Sequence, residues 1–67
     1  MFEITINGEV AKVEDGATVS SLLAARNLAG KRVAVERNGE IVPKGLHGEA
    51  RLAAGDRIEI VVAVGGG

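Results

Sequence analysis

Cysteine, tryptophan and tyrosine are absent from this chain; Phe2 is its one aromatic residue, His47 its one histidine and Pro43 its one proline. Without cysteine there is no disulfide staple, no thiolate metal site and no thiol nucleophile. A single histidine rules out a multi-histidine metal site within one chain. The near-absence of aromatics removes the stacking platforms on which single-stranded nucleic acids are bound. No sign of charge dominates either: eight basic and nine acidic residues are interspersed, for a net charge of −1. The clustered lysines and arginines that hold a phosphate backbone are missing, which argues against nucleic acid as a partner. No apolar run approaches the ~18 residues of a membrane span, so no membrane association is expected. The opening MFEITING lacks the basic start and apolar core of a signal peptide, so a cytoplasmic location is expected.

What is present fits one small domain. A chain of 67 residues has little room for a deep cleft beside its core, because domains near this size bury only about 60% of their unfolded surface. Phe2, Ile4 and Ile6 alternate with Glu3, Thr5 and Asn7, the period of a half-buried strand. Asn7-Gly8 predicts a type I′ hairpin turn and Val10–Val13 the returning strand. Thr18 is placed to cap a helix over about Val19 to Leu28, with Gly30 ending the segment. Ser21 stands where a capping box has Glu or Gln, so the box reads as incomplete. A third strand over Lys31–Arg37, a second turn at Asn38-Gly39 and a short return through Glu40, Ile41 and Val42 follow. KGLHGEARLAAGD is the least regular stretch, with Leu46 and Leu52 as its expected anchors, and the last strand runs from Arg57 to about Val64. The order predicts an α+β domain: a small sheet with one main helix packed on one face.

The inventory for catalysis is thin. Ser20 and Ser21 fall at the helix start, Asp15 and Asp56 in turns, and His47 in a loop, where it reads as solvated or partly packed. No phosphate-binding glycine motif is present. The chain ends IEIVVAVGGG. Ile58, Ile60 and Val62 are placed to face the helix, while Val61 and Ala63, with Val64, add apolar surface beside the tail, a candidate docking patch. Gly65, Gly66 and Gly67 pack nothing, since glycine has no Cβ. They are narrow enough to thread a tunnel, and at ~3.3–3.6 Å per residue, residues 63–67 reach about 17 Å from the sheet. A terminal glycine carboxylate is unhindered but unreactive until activated, for example as an acyl adenylate made with ATP by another enzyme. The division expected is a folded domain over 1–64 and a flexible tail over 65–67.

These pieces together resemble the ThiS family of sulfur carriers in thiamine biosynthesis, over essentially the whole chain. ITINGE is similar to the family's opening hairpin, DGATVSSLLA to its turn into the helix, VAVERNGEIVPK to the segment after it, and GDRIEIVVAVGGG to its closing strand and tail. The resemblance implies a ubiquitin-like β-grasp fold with a mixed sheet of about four to five strands. It implies a protein cosubstrate rather than an enzyme. An E1-like, ThiF-like adenylyltransferase is implied to activate the Gly67 carboxylate with ATP, no cofactor being bound by the carrier itself. Sulfur from a donor enzyme then gives a thiocarboxylate, which a ThiG-like thiazole synthase consumes. Gly67 is thus the implied modified residue, with Gly66 and Gly65 entering the partner's active site. Other classes remain open here: the MoaD-like small subunit of molybdopterin synthase, a non-covalent β-grasp interaction module, and a ubiquitin-like tag. KGLHGEA departs from the resemblance, because His47 stands where a bulky, often aromatic, residue is expected. Gly45 and Gly48 lie close by, and a less ordered loop is expected.

Overall fold

Two Asn-Gly turns organise the sheet. A computed structural model describes residues 1–63 of the chain. Strands β1 (Phe2–Ile6) and β2 (Glu9–Val13) are joined by Asn7 and Gly8, at φ 51° and 85°. Strands β3 (Val33–Arg37) and β4 (Glu40–Ile41) are joined by Asn38 and Gly39, at φ 53° and 86°. Positive φ at both central positions is the type I′ geometry that matches strand twist. The last strand, β5 (Arg57–Val62), enters between the hairpins, parallel to β1 and antiparallel to β3. The sheet order is β2-β1-β5-β3-β4. This is the mixed, five-stranded α+β arrangement expected, with β5 at its centre.

The helix α1 (Val19–Ala25) covers one face of the sheet with Val19, Leu22 and Leu23. Its core partners are Ile4, Ile6, Val35, Leu52, Ile58 and Ile60, all buried. Register explains the choice: Ile6 lies beside Ile58, and Val35 opposite Ile60, so the apolar set of three strands shares one face.

Four expectations are corrected in detail. The helix ends at Ala25 rather than Leu28, because Asn27 takes φ 60°. The Asn27 N–H then donates to the Ala24 carbonyl at 3.1 Å and the Leu28 N–H to that of Leu23 at 2.8 Å. That is a Schellman ending, with Leu28 folded onto the core. The capping box is complete with serine. The Ser21 N–H donates to Thr18 Oγ1 at 3.1 Å, and the Thr18 N–H to Ser21 Oγ at 2.8 Å. In the irregular stretch Leu52 is a core anchor but Leu46 is exposed. A one-turn 3₁₀ helix, Lys44–Leu46, turns Leu46 outward and His47 inward. His47, expected to be solvated or partly packed, is buried, and its Nε2 lies 3.0 Å from the Val42 carbonyl. Its own carbonyl accepts the Ser20 N–H at 2.9 Å, which ties the loop to the helix start.

Candidate functional site

Strand β5 is the element that leads into the glycine tail, and its neighbours hold it at three places. Asp56, just before it, is buried among hydrogen-bond donors. One carboxylate oxygen accepts from Arg37 Nε at 3.0 Å and from the Ala53 N–H at 2.8 Å; the other accepts from Asn38 Nδ2 at 3.1 Å. The Asn38 side chain also accepts the Arg57 N–H at 2.9 Å. Further along, the Asn7 N–H donates to the Ile58 carbonyl at 2.9 Å. The Asn7 side chain then serves both groups of Ile60: Oδ1 accepts the Ile60 N–H at 2.8 Å, and Nδ2 donates to the Ile60 carbonyl at 3.2 Å. Each turn asparagine thus does two jobs, a positive φ for its hairpin and a clamp on the central strand. Sequence reasoning found the first and missed the second. The signal was there in the choice of Asn over Gly at both first turn positions, since glycine supplies the φ but no side-chain amide.

Beyond Ile60 the apolar side chains leave the core. Val61 is 62% exposed and Ala63 is also exposed. Val61 sits opposite Ala34 on the face away from the helix, and it is apolar surface there. Val62, expected to face the helix, is 42% exposed instead; it lies on that face but past the helix's cover. Val61 and Ala63 line a shallow depression of about 300 Å³ with Ala34, Val33, Arg32 and Lys44. Four of these six residues are apolar, and Arg32 and Lys44 are basic. The site residues Val64, Gly65, Gly66 and Gly67 lie outside the described residues.

Of the groups considered for catalysis, Ser20 is exposed at the helix start and the others have these neighbours. Ser21 is in the capping box, Asp56 is paired with Arg37, and Asp15 lies 3.3 Å from the N-terminal ammonium. His47 meets a backbone carbonyl rather than a serine or a carboxylate. Among the described residues, no group of three or more His, Cys, Asp or Glu residues is placed to hold a metal ion. No helix among them is long and apolar enough to cross a membrane.

The ThiS family model matches residues 3–67, the core, β5 and the glycine tail alike. The chain belongs to the ThiS family. Over 65 residues it is 45% identical to the sulfur carrier protein ThiS of Bacillus subtilis, covering 96% of this chain and 98% of that one. The crystal structure of the thiamine biosynthesis protein ThiS from Geobacter metallireducens superposes with a TM-score of 0.83. The identity there is 30%, with 98% of this chain and all of the other covered. The ubiquitin-like β-grasp implied by the resemblance is therefore the fold. Two longer proteins also match. Thiazole synthases of Paramagnetospirillum magneticum and Magnetococcus marinus are each 42% identical over 65 residues, covering 97% of this chain. The chain spans only about a fifth of the length of these two relatives.

Proposed function

We propose that this ThiS-family chain carries sulfur for thiazole formation in thiamine biosynthesis, as a thiocarboxylate on Gly67. The observation that carries the reading is the end-to-end correspondence with the Bacillus subtilis sulfur carrier, in a family whose model runs through the glycines to residue 67. The thiazole synthases support the choice of partner, because a stretch similar to this whole chain lies within a protein of that name. We place the protein in the cytoplasm, as its sequence suggests.

The chemistry asks little of the carrier. The Gly67 carboxylate attacks the α-phosphorus of ATP on an E1-like adenylyltransferase, and pyrophosphate leaves. The acyl adenylate is attacked at carbon by hydrosulfide, AMP leaves with its bonding pair, and the proton of the hydrosulfide goes to solvent. A thiocarboxylate remains, whose sulfur passes to the thiazole synthase. The carrier's part is to present an unhindered carboxylate on a narrow stem. The clamps at Asp56, Asn38 and Asn7 fix the strand from which that stem departs.

Intact mass spectrometry tests this directly. The chain is incubated with the cognate adenylyltransferase, ATP and sulfide. The expected result is a mass gain equal to exchanging one oxygen for sulfur, localised to Gly67. No gain, with a control carrier converted in parallel, overturns the reading.

A further inference from the structure

The Asn-Gly pairs at the two hairpin turns are chemically labile as well as structural. An asparagine side-chain amide is open to attack by the backbone nitrogen of the next residue, and glycine, without a Cβ, leaves that nitrogen unhindered. Gly8 and Gly39 both stand in open space. Among the described residues, neither glycine N–H donates a hydrogen bond to the backbone.

The clamps on β5 hold the reaction back. Asn38 Nδ2 donates to Asp56 Oδ1 at 3.1 Å, and its Oδ1 accepts the Arg57 N–H at 2.9 Å. Asn7 is held in the same way on the two backbone groups of Ile60. The amide has to turn onto the glycine nitrogen to react, so these bonds must open first. The two turns differ in how firmly they are closed. Asn7 joins strands that pair at five positions, and both of its clamp bonds are partly buried. Asn38 joins strands that pair at two, with one further bond from the Val42 N–H to the Val35 carbonyl at 2.8 Å. Its partner β4 is a two-residue strand at the edge of the sheet, and its bond from Arg57 is exposed. Elements with few contacts and exposed hydrogen bonds open at the least cost.

We propose that Asn38 is a site of spontaneous hydrolytic modification, and that its product dismantles the Asp56 clamp. The Gly39 nitrogen gives its proton to solvent and bonds to Cγ of Asn38. The Cγ–Nδ2 bond breaks, and ammonia leaves with a proton taken from water. Water then opens the cyclic imide at either carbonyl. One opening leaves aspartate at position 38; the other leaves isoaspartate, with the backbone running through the former side chain. The balance is one water consumed and one ammonia released, with no oxidation or reduction. The aspartate sets a carboxylate where an amide had donated to Asp56. The two anions repel, and Arg37 has one charge to share between them. The isoaspartate adds a backbone atom to a two-residue turn and breaks its register. The proposal does not depend on the sulfur-carrier reading.

Two measurements decide it. The wild-type chain is aged at 37 °C in mildly alkaline buffer, with a parallel sample in guanidinium chloride, and both are digested with pepsin and weighed peptide by peptide. A mass gain equal to exchanging an amide NH₂ for OH is expected at Asn38 about threefold or more faster than at Asn7. The Asn38 rate is expected to be about tenfold or more slower in buffer than in guanidinium chloride, because only the opened turn reacts. Asn7 reacting first or equally, equal Asn38 rates in the two samples, or no gain at Asn38 in buffer while the unfolded sample converts, overturns the proposal. The second measurement is guanidinium unfolding of Asn38→Asp, which installs the aspartate product, beside Asn38→Gly, which removes the amide without adding charge. Asn38→Asp is expected to have the lower midpoint at neutral pH. A midpoint equal to or above that of Asn38→Gly overturns the proposal.

Discussion

At the scale of single residues, Asp56 shows how a small domain handles a buried charge. Its two oxygens are filled by Arg37, Asn38 and the Ala53 N–H, so burial leaves no lone carboxylate. Removing it strands three donors at the mouth of β5. Asp56→Ala is expected to cost about 2–4 kcal/mol, at or below the range for breaking a buried pair, because the Arg37 side chain is 34% exposed and regains water. A chain this size has roughly 3–10 kcal/mol in total, so the variant is expected to be close to unfolding at 37 °C. Urea denaturation checks it, and a loss under ~1 kcal/mol contradicts the assignment. His47 gives the complementary lesson about reading sequence. The histidine of KGLHGEA reads as solvated or partly packed, since nothing local tells which way a one-turn 3₁₀ helix faces. Tertiary bonds to Val42 and Ser20 decide it.

At the scale of elements, period and turn chemistry made every strand readable, and what escaped was a boundary of several: the starts of β2 and β3 and the ends of β4 and α1. The α1 helix is the clear example. ATVSSLLAARNLAG holds its helical pattern through Leu28, yet Asn27 leaves it at φ 60°. Nothing in the pattern distinguishes an asparagine that continues a helix from one that ends it; the Leu28 side chain packing back on the core does. Asn27→Ala is expected to destabilise by about 1 kcal/mol, because alanine lacks the short polar side chain that lets asparagine tolerate the left-handed region, while Asn27→Gly stays within about 0.5 kcal/mol of wild type. Thermal melts of the pair check the order. In the sheet, Glu36 and Glu59 sit directly opposite each other on the face away from the helix. Like charges in cross-strand register repel. Glu59→Lys turns the pair attractive and is expected to raise Tm by about 2–6 °C. The gain is expected to shrink in 1 M salt, where the Debye length is about 3 Å. An unchanged Tm at low salt rejects the repulsion.

At the scale of the whole molecule, the proposed function divides labour between a body that docks and a tail that reacts. Three glycines offer a partner no side chain, so affinity has to come from the body, and the surface nearest the tail is the depression lined by Val61, Ala63 and Ala34 with Arg32 and Lys44. The two parts are therefore separable. A chain truncated after Gly65 keeps the docking surface and lacks the reacting carboxylate. It is expected to inhibit adenylation of the full chain competitively, with an inhibition constant within about threefold of KM, since uniform binding energy resides outside the reacting group. Val61→Asp keeps the tail and places a charge among those apolar residues. It is expected to raise KM about tenfold or more with kcat little changed, the pattern of lost ground-state binding. Steady-state ATP–pyrophosphate exchange kinetics measure both variants against one wild-type curve. If the truncated chain fails to inhibit at a hundredfold excess over KM, the glycines themselves supply the affinity and the body serves only to carry them. The apolar exposure at Val61 then has no partner to explain it.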